Sequence, residues 1–164
     1  MLLRTDDTIV AIATAAGGAP RGLVRVSGDR ARAIAEGLFR PVAEPFTWPR
    51  LPSAVAGSVL LNAAGDALPC ELYVWPSLRS YTQQPTLEFH TLGSPPLLQL
   101  LVQQICRHGA RTAEPGEFTL RAFLAGRLDL TQAEAVLGVI EAASERELNV
   151  ALRQLAGGLK QRVQ

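Results

Sequence analysis

Residues 114–135, EPGEFTLRAFLAGRLDLTQAEA, compress two helix starts, a tight loop and several charged side chains into one short stretch. Pro115-Gly116-Glu117-Phe118 opens a short helix, since proline is tolerated at an entrance where its missing N–H would be unpaired anyway. That helix is expected to end at Gly126. Thr131-Gln132-Ala133-Glu134 has capping-box spacing, in which a hydroxyl and a carboxylate reciprocally satisfy orphan backbone N–H groups, so a long helix should follow. Between the two helices, Gly126-Arg127-Leu128-Asp129-Leu130 pins Arg127 in a short connection whose flanking leucines are expected to bury and hold the backbone. An arginine held this way is placed to reach a ligand.

Upstream of this junction the periodicities are those of a sheet with helices. Residues 8–14 (TIVAIAT) and 22–27 (GLVRVS) are β-branched apolar runs separated by a Gly/Ala/Pro loop, and both read as strands. In the second run, period two puts Leu23, Arg25 and Ser27 on one face and Val24 and Val26 on the other. Arg25 therefore interrupts an apolar strand, either as a stem that covers the sheet or as a ligand contact. Ser27 or Asp29 is positioned to cap a helix over 29–39, with Ala31, Ile34, Ala35 and Leu38 as its apolar face. Residues 41–52 hold four prolines and read as an irregular connection anchored by Phe46 and Trp48.

Residues 53–61 and 68–76 flank a turn-forming NAAGDA segment and predict an antiparallel hairpin. The second arm alternates Cys70, Leu72 and Val74 with Glu71, Tyr73 and Trp75. Residues 86–91 (TLEFHT) form another strand, with Glu88 and His90 on one face, where a carboxylate meets either water or a ligand. Ser94-Pro95-Pro96 opens a helix to His108 buried through Leu97, Leu98, Leu101, Val102 and Ile105, and 110–112 reads as a last short strand. The sum is an α+β domain of roughly ferredoxin-like type. Beyond Gln132, apolar residues from Val136 to Val163 recur at spacings of three and four, predicting one amphipathic helix approaching 30 residues that Gly157-Gly158 can bend. Such a helix on a small sheet domain calls for a partner, either further helices or a second subunit.

Composition narrows the function classes. The 164 residues carry 16 basic and 15 acidic side chains, a net charge of +1, which excludes a strong electrostatic footprint for autonomous nucleic-acid binding; any RNA contact is local or shared. Cys70 and Cys106 stand alone, without the spacing of a metal site, and fit a reducing compartment. No run of about 18 apolar residues occurs, and the start Arg4-Thr5-Asp6-Asp7 is unlike a signal peptide, so a soluble, cytoplasmic protein with no membrane association is expected.

Four stretches, DTIVAIAT (7–14), GLVRVSG (22–28), PGEFTLRAFLAGRLDLTQAEAV (115–136) and IEAASE (140–145), together resemble the N-terminal region of the MnmE (TrmE) family of tRNA-modifying GTPases. The resemblance implies a TrmE-type N-terminal domain over 1–128, in an aminomethyltransferase-like fold, followed over 129–164 by the first helix of a helical domain. It also implies a homodimer that binds a 5-formyl-tetrahydrofolate-type one-carbon donor. Arg25 matches the family's folate-contacting arginine, Glu88 its strand glutamate, and Arg127 the basic residue of the connection. Such a carboxylate accepts paired hydrogen bonds from a pterin ring, and guanidinium binds carbonyl or glutamyl oxygens. A flavoprotein of the MnmG (GidA) type and tRNA are the implied partners.

GTP, Mg²⁺ and K⁺ belong in the family to a GTPase domain, and this chain has no GxxxxGK[ST]: its sole lysine, Lys160, stands in GGLKQRV. The chain is thus expected to be a piece of a longer protein or a short paralogue. The loops around Glu88 also depart from the family. Thr82-Gln83-Gln84-Pro85 stands where Thr-Gly-Glu-Asp is usual, and His90-Thr91-Leu92-Gly93-Ser94 replaces a Gly-His-Gly-Gly-like turn. A non-catalytic dimerisation scaffold that has lost folate is the alternative; a stand-alone one-carbon transferase would have only Glu88 and His90 as acid–base candidates.

Overall fold

The computed structural model describes residues 5–62 and 65–160. Contacts gather the chain into two units, one of residues 1–80 and 84–113, the other of 81–83 and 114–164.

The first unit is built on a seven-stranded sheet in the order β3-β4-β5-β6-β2-β1-β7. Its strands are β1 (Ile9–Ile12), β2 (Ala19–Ser27), β3 (Phe39–Pro41), β4 (Ser53–Leu60), β5 (Ala67–Trp75), β6 (Thr86–Gly93) and β7 (Arg111–Thr112). All neighbours pair antiparallel except β1 with β7. Helices α1 (Ala31–Leu38) and α2 (Pro95–Arg107) both pack on the sheet and on each other. The α+β class expected from the alternation of apolar runs is the one observed.

The core lies where period two said it would. Val24, Val26, Leu72, Val74, Leu87 and Phe89 turn to one face of the sheet and are covered by Ile34, Leu38, Leu98, Leu101 and Ile105 from the two helices. Each of these side chains is withdrawn from water, worth about 1.5–3 kcal/mol apiece for residues of this size. The start of α1 differs from expectation. Neither Ser27 nor Asp29 caps it; Arg30 is the N-cap residue, makes no side-chain cap, and its own N–H donates to Thr8 Oγ1 at 3.0 Å. A strand hydroxyl from β1's edge thus replaces the local cap, a long-range solution that no helix-start rule contains.

In the second unit, α3 (Glu117–Leu124) begins after Gly116 at φ 75° and stops at Gly126. The stop is a Schellman motif. Gly126, at φ 71°, donates its N–H to Phe123 O at 2.9 Å, and Arg127 donates its N–H to Ala122 O at 2.9 Å. These bonds hold the Arg127 backbone; the flanking leucines do not, since Leu128 is half-buried and Leu130 is 58% exposed.

The next helix, α4 (Leu130–Glu141), starts earlier than the Thr131 box predicts. Asp129 is the N-cap: its carboxylate accepts from Gln132 N at 2.8 Å while Gln132 Oε1 accepts from Asp129 N at 3.0 Å. Asp-x-x-Gln serves the same reciprocal geometry as Thr-x-x-Glu, and the frame two residues earlier wins. The predicted single helix is two. The chain breaks at 142–144 and resumes as α5 (Glu145–Lys160), which runs through Gly157-Gly158. Ser144 Oγ accepts from Glu147 N at 3.3 Å and Glu147 Oε2 accepts from Ala143 N at 2.9 Å, a start signal that the continuous apolar period conceals. α4 and α5 pack together closely enough that a Cβ at Gly138 would stand 3.3 Å from that of Ala151. The expected apolar stripe is only partly covered, with Ile140 72% exposed.

Candidate functional site

The face of the sheet opposite the helices carries charge. Antiparallel register sets Arg25 of β2 beside Glu88 of β6 and Glu88 beside Tyr73 of β5, while His90 lies beside Glu71 in the next row but one. Because side chains alternate, all five project from the same face as Leu23 and Trp75. Arg25 Nε donates to Glu88 Oε1 at 2.8 Å, with the two side chains 30% and 14% exposed. The other carboxylate oxygen, Oε2, stands 3.1 Å from His90 Nε2.

From His90 the cluster continues sideways. The Tyr73 ring lies 4.4 Å from the imidazole, tilted by 43°, and stacks on Trp75 at 6.3 Å. Tyr73 Oη donates to Glu71 Oε2 at 3.2 Å, and Arg21 reaches the same oxygen at 2.7 Å. Two guanidinium groups therefore face two carboxylates, with the His90 ring between them. An ionised carboxylate offers about four lone-pair positions, so Glu88, with one contact on each oxygen, retains acceptor capacity for a ligand's paired N–H groups.

Arg25 and Glu88, two of the three candidate residues, are thus brought together. Arg127 belongs to the second unit, where its side chain is exposed and makes no ion pair among the described residues. The sequence reading put Glu88 with His90, and Tyr73 with Glu71, on common faces, but strand register was needed to join the two sets. It placed Arg21 in a loop, whereas β2 begins at Ala19, and an irregularity between Ala19 and Gly22 lies beside it.

The loop before β6 has a backbone of its own kind. Gln83 has φ 54°, the left-handed region that glycine favours. Gln84 closes the other half of the loop: its N–H donates to Ser80 Oγ at 3.1 Å and Ser80 Oγ donates to Gln84 O at 2.6 Å.

A second ion pair, which the sequence reading did not single out, is fully buried. Arg121 on α3 donates from Nε and Nη2 to Glu117 Oε1 at 3.2 and 2.9 Å, with the side chains 2% and 5% exposed. Glu117 Oε2 accepts from Glu114 N at 2.9 Å, so the carboxylate also closes the turn that enters the helix. The i, i+4 spacing of Glu117 and Arg121 was the available signal, though spacing alone does not separate a buried pair from a solvated one.

A mostly antiparallel sheet, helical on one face and bearing paired charges on the other, defines an α+β domain with a polar sheet face. The family model described as GTP-binding protein TrmE N-terminus matches residues 8–127, and the chain belongs to that family. It is 48% identical over 165 aligned positions to a tRNA modification GTPase MnmE of Rhodopirellula baltica, covering 100% of this chain and 35% of that protein. The corresponding protein of Moorella thermoacetica is 42% identical across 96% of the chain and 35% of its own length. The chain thus spans about a third of these relatives, their N-terminal part.

Proposed function

We propose that this chain is the folate-binding and dimerising part of a GTPase that modifies the C5 position of the wobble uridine in tRNA. The observation that carries the proposal is the Arg25–Glu88 pair, partly buried on the polar sheet face with acceptor positions left on the carboxylate. Glu88 would take the amino and ring N–H groups of a pterin, and Arg25 a carbonyl beside them. Arg127, held by its backbone and extended into solvent, supplies a guanidinium for the glutamyl carboxylates. The bound 5-formyl-tetrahydrofolate supplies the one-carbon unit; the protein side chains orient it and need not react.

In this reading residues 1–128 make the folate domain, and 129–164 open a helical domain. The chain acts as a homodimer in the cytoplasm, beside a flavoprotein of the MnmG type and tRNA, while GTP, Mg²⁺ and K⁺ are handled elsewhere in the protein. Among the described residues no helix is long and apolar enough to cross a membrane.

Calorimetric titration of the chain with 5-formyl-tetrahydrofolate tests the proposal. Heat from wild type and a marked loss in Arg25→Ala are expected. Absence of heat from a folded chain, or an unchanged affinity in Arg25→Ala, overturns it. The altered loop at Gln83 and Gln84 favours one alternative, a dimerisation scaffold without folate, and this predicts sedimentation as a dimer with no heat of titration.

A further inference from the structure

On the first unit, away from the Arg25–Glu88 pair, a groove of about 410 Å³ is lined by Arg32, Thr47, Trp48, Pro49, Arg50 and Pro76. Three elements build it: α1 supplies Arg32, the connection between β3 and β4 supplies residues 47–50, and Pro76 follows β5. Its volume falls within the about 300–1,000 Å³ of small-ligand clefts. The Trp48 ring is fixed from below, packed against the core and meeting Phe46 edge-on at 5.3 Å between centroids. Over its face lies the Arg32 guanidinium, 5.7 Å from the ring centroid. Arg32 Nε donates to Glu36 Oε1 at 2.8 Å, which orients the guanidinium plane, and the side chain is 65% exposed.

We infer that this groove holds one nucleotide unit of a single-stranded RNA, with a base against the Arg32–Trp48 stack and the adjoining phosphate on Arg50. Its walls match that chemistry on both counts. Trp48, Pro49 and Pro76 offer flat apolar surface, which a stacked base uses and an acidic peptide does not. The Arg50 guanidinium offers forked donors that match a phosphate's oxygens, while Arg32 is held by Glu36, which is not among the groove's lining residues. Arg50 is exposed and forms no ion pair among the described residues. The choice of RNA over DNA rests on the tRNA setting proposed above; the site itself is independent of the folate reading. A nearly neutral chain can bind RNA only through such a local patch.

The test is fluorescence anisotropy of a short labelled oligouridylate titrated with the 164-residue chain, as a function of salt. One phosphate neutralised by Arg50 predicts a log–log salt slope of about −0.7, falling toward zero in Arg50→Ala, since each single-strand contact contributes about −0.7. Affinity falls about tenfold in Arg50→Ala, the loss expected for one charged hydrogen-bonded contact. Arg50→Lys keeps the slope but binds less tightly than wild type, because the charge remains and the fork is lost. Both arginines are exposed, and unchanged urea midpoints confirm that the variants fold. No binding by wild type, or an affinity indifferent to Arg32→Ala and Arg50→Ala together, overturns the proposal. Competition by poly-glutamate as effective as by RNA, or equal affinity for oligodeoxyuridylate, overturns the assignment to RNA. Because no folate is present, failure here leaves the calorimetric test of the folate site unaffected.

Discussion

Arg25 and Glu88 meet across the β2–β6 register at 2.8 Å, and His90 holds the opposite oxygen of the same carboxylate at 3.1 Å. Glu88 is therefore gripped from two sides on a face where only 14% of its side chain meets water. A carboxylate so placed has a defined orientation before any ligand arrives, which reduces the ordering cost of binding.

That arrangement predicts a coupling. Arg25→Met should destabilise the chain by about 1–2 kcal/mol, since it leaves Glu88 with one partner in a partly dry site. Glu88→Leu in the same background should recover much of the loss, because the unpaired charge is then gone. Urea denaturation of the two single variants and the double variant gives the coupling; strictly additive losses would mean that the pair does not act as a unit.

Gly126 and Asp129 hold the backbone on either side of Arg127. Gly126→Ala forces a Cβ into the left-handed region and should cost about 1–2 kcal/mol. Asp129→Ala removes the cap and should cost about 0.5–2 kcal/mol. If Arg127 contacts folate, both changes also weaken calorimetric affinity although neither touches that side chain. Loss of stability without loss of affinity would remove Arg127 from the site.

The buried pair of Glu117 and Arg121 should be far less tolerant. Arg121→Met strands a carboxylate that is 5% exposed and should cost about 3–5 kcal/mol. Glu117→Gln, which keeps one acceptor oxygen for Arg121, gives up the bond from Glu114 N and leaves no unpaired carboxylate, should cost less. The order of the two urea midpoints decides the matter.

Cys70 is expected to be chemically silent. Burial, reinforced by the neighbouring Glu71 carboxylate, pushes its thiol up from 9.0 to about 12, so the nucleophilic thiolate is scarce at neutral pH. Alkylation at pH 8, read by mass spectrometry, should mark half-buried Cys106 first and Cys70 only after denaturation. A raised thiol pKa stabilises the fold fully below about 9 and loses that contribution as pH climbs toward about 12, because the unfolded chain ionises first. The stability of wild type relative to Cys70→Val should therefore shrink across that window.

Much of this protein is legible in one dimension. Alternation in residues 70–75 and 86–91 assigns Glu71, Tyr73, Glu88 and His90 to the polar faces of their strands, since side-chain direction in a strand follows parity alone. Helical spacing likewise names Ile34, Leu38, Leu101 and Ile105 as core, and the glycine at 126 marks the helix stop. What parity and period do not carry is which strand lies beside which. Arg25 and Glu88 are 63 positions apart, and only the pairing of β2 with β6 makes them an ion pair. The same limit explains the α1 start, satisfied by Thr8 from a distant strand, and the break at 142–144, where one continuous apolar rhythm folds back as two packed helices. Local propensity sets which residues begin, end and face inward. Long-range register and packing decide which of their charges meet, because those contacts depend on chain reversals that leave no periodic trace.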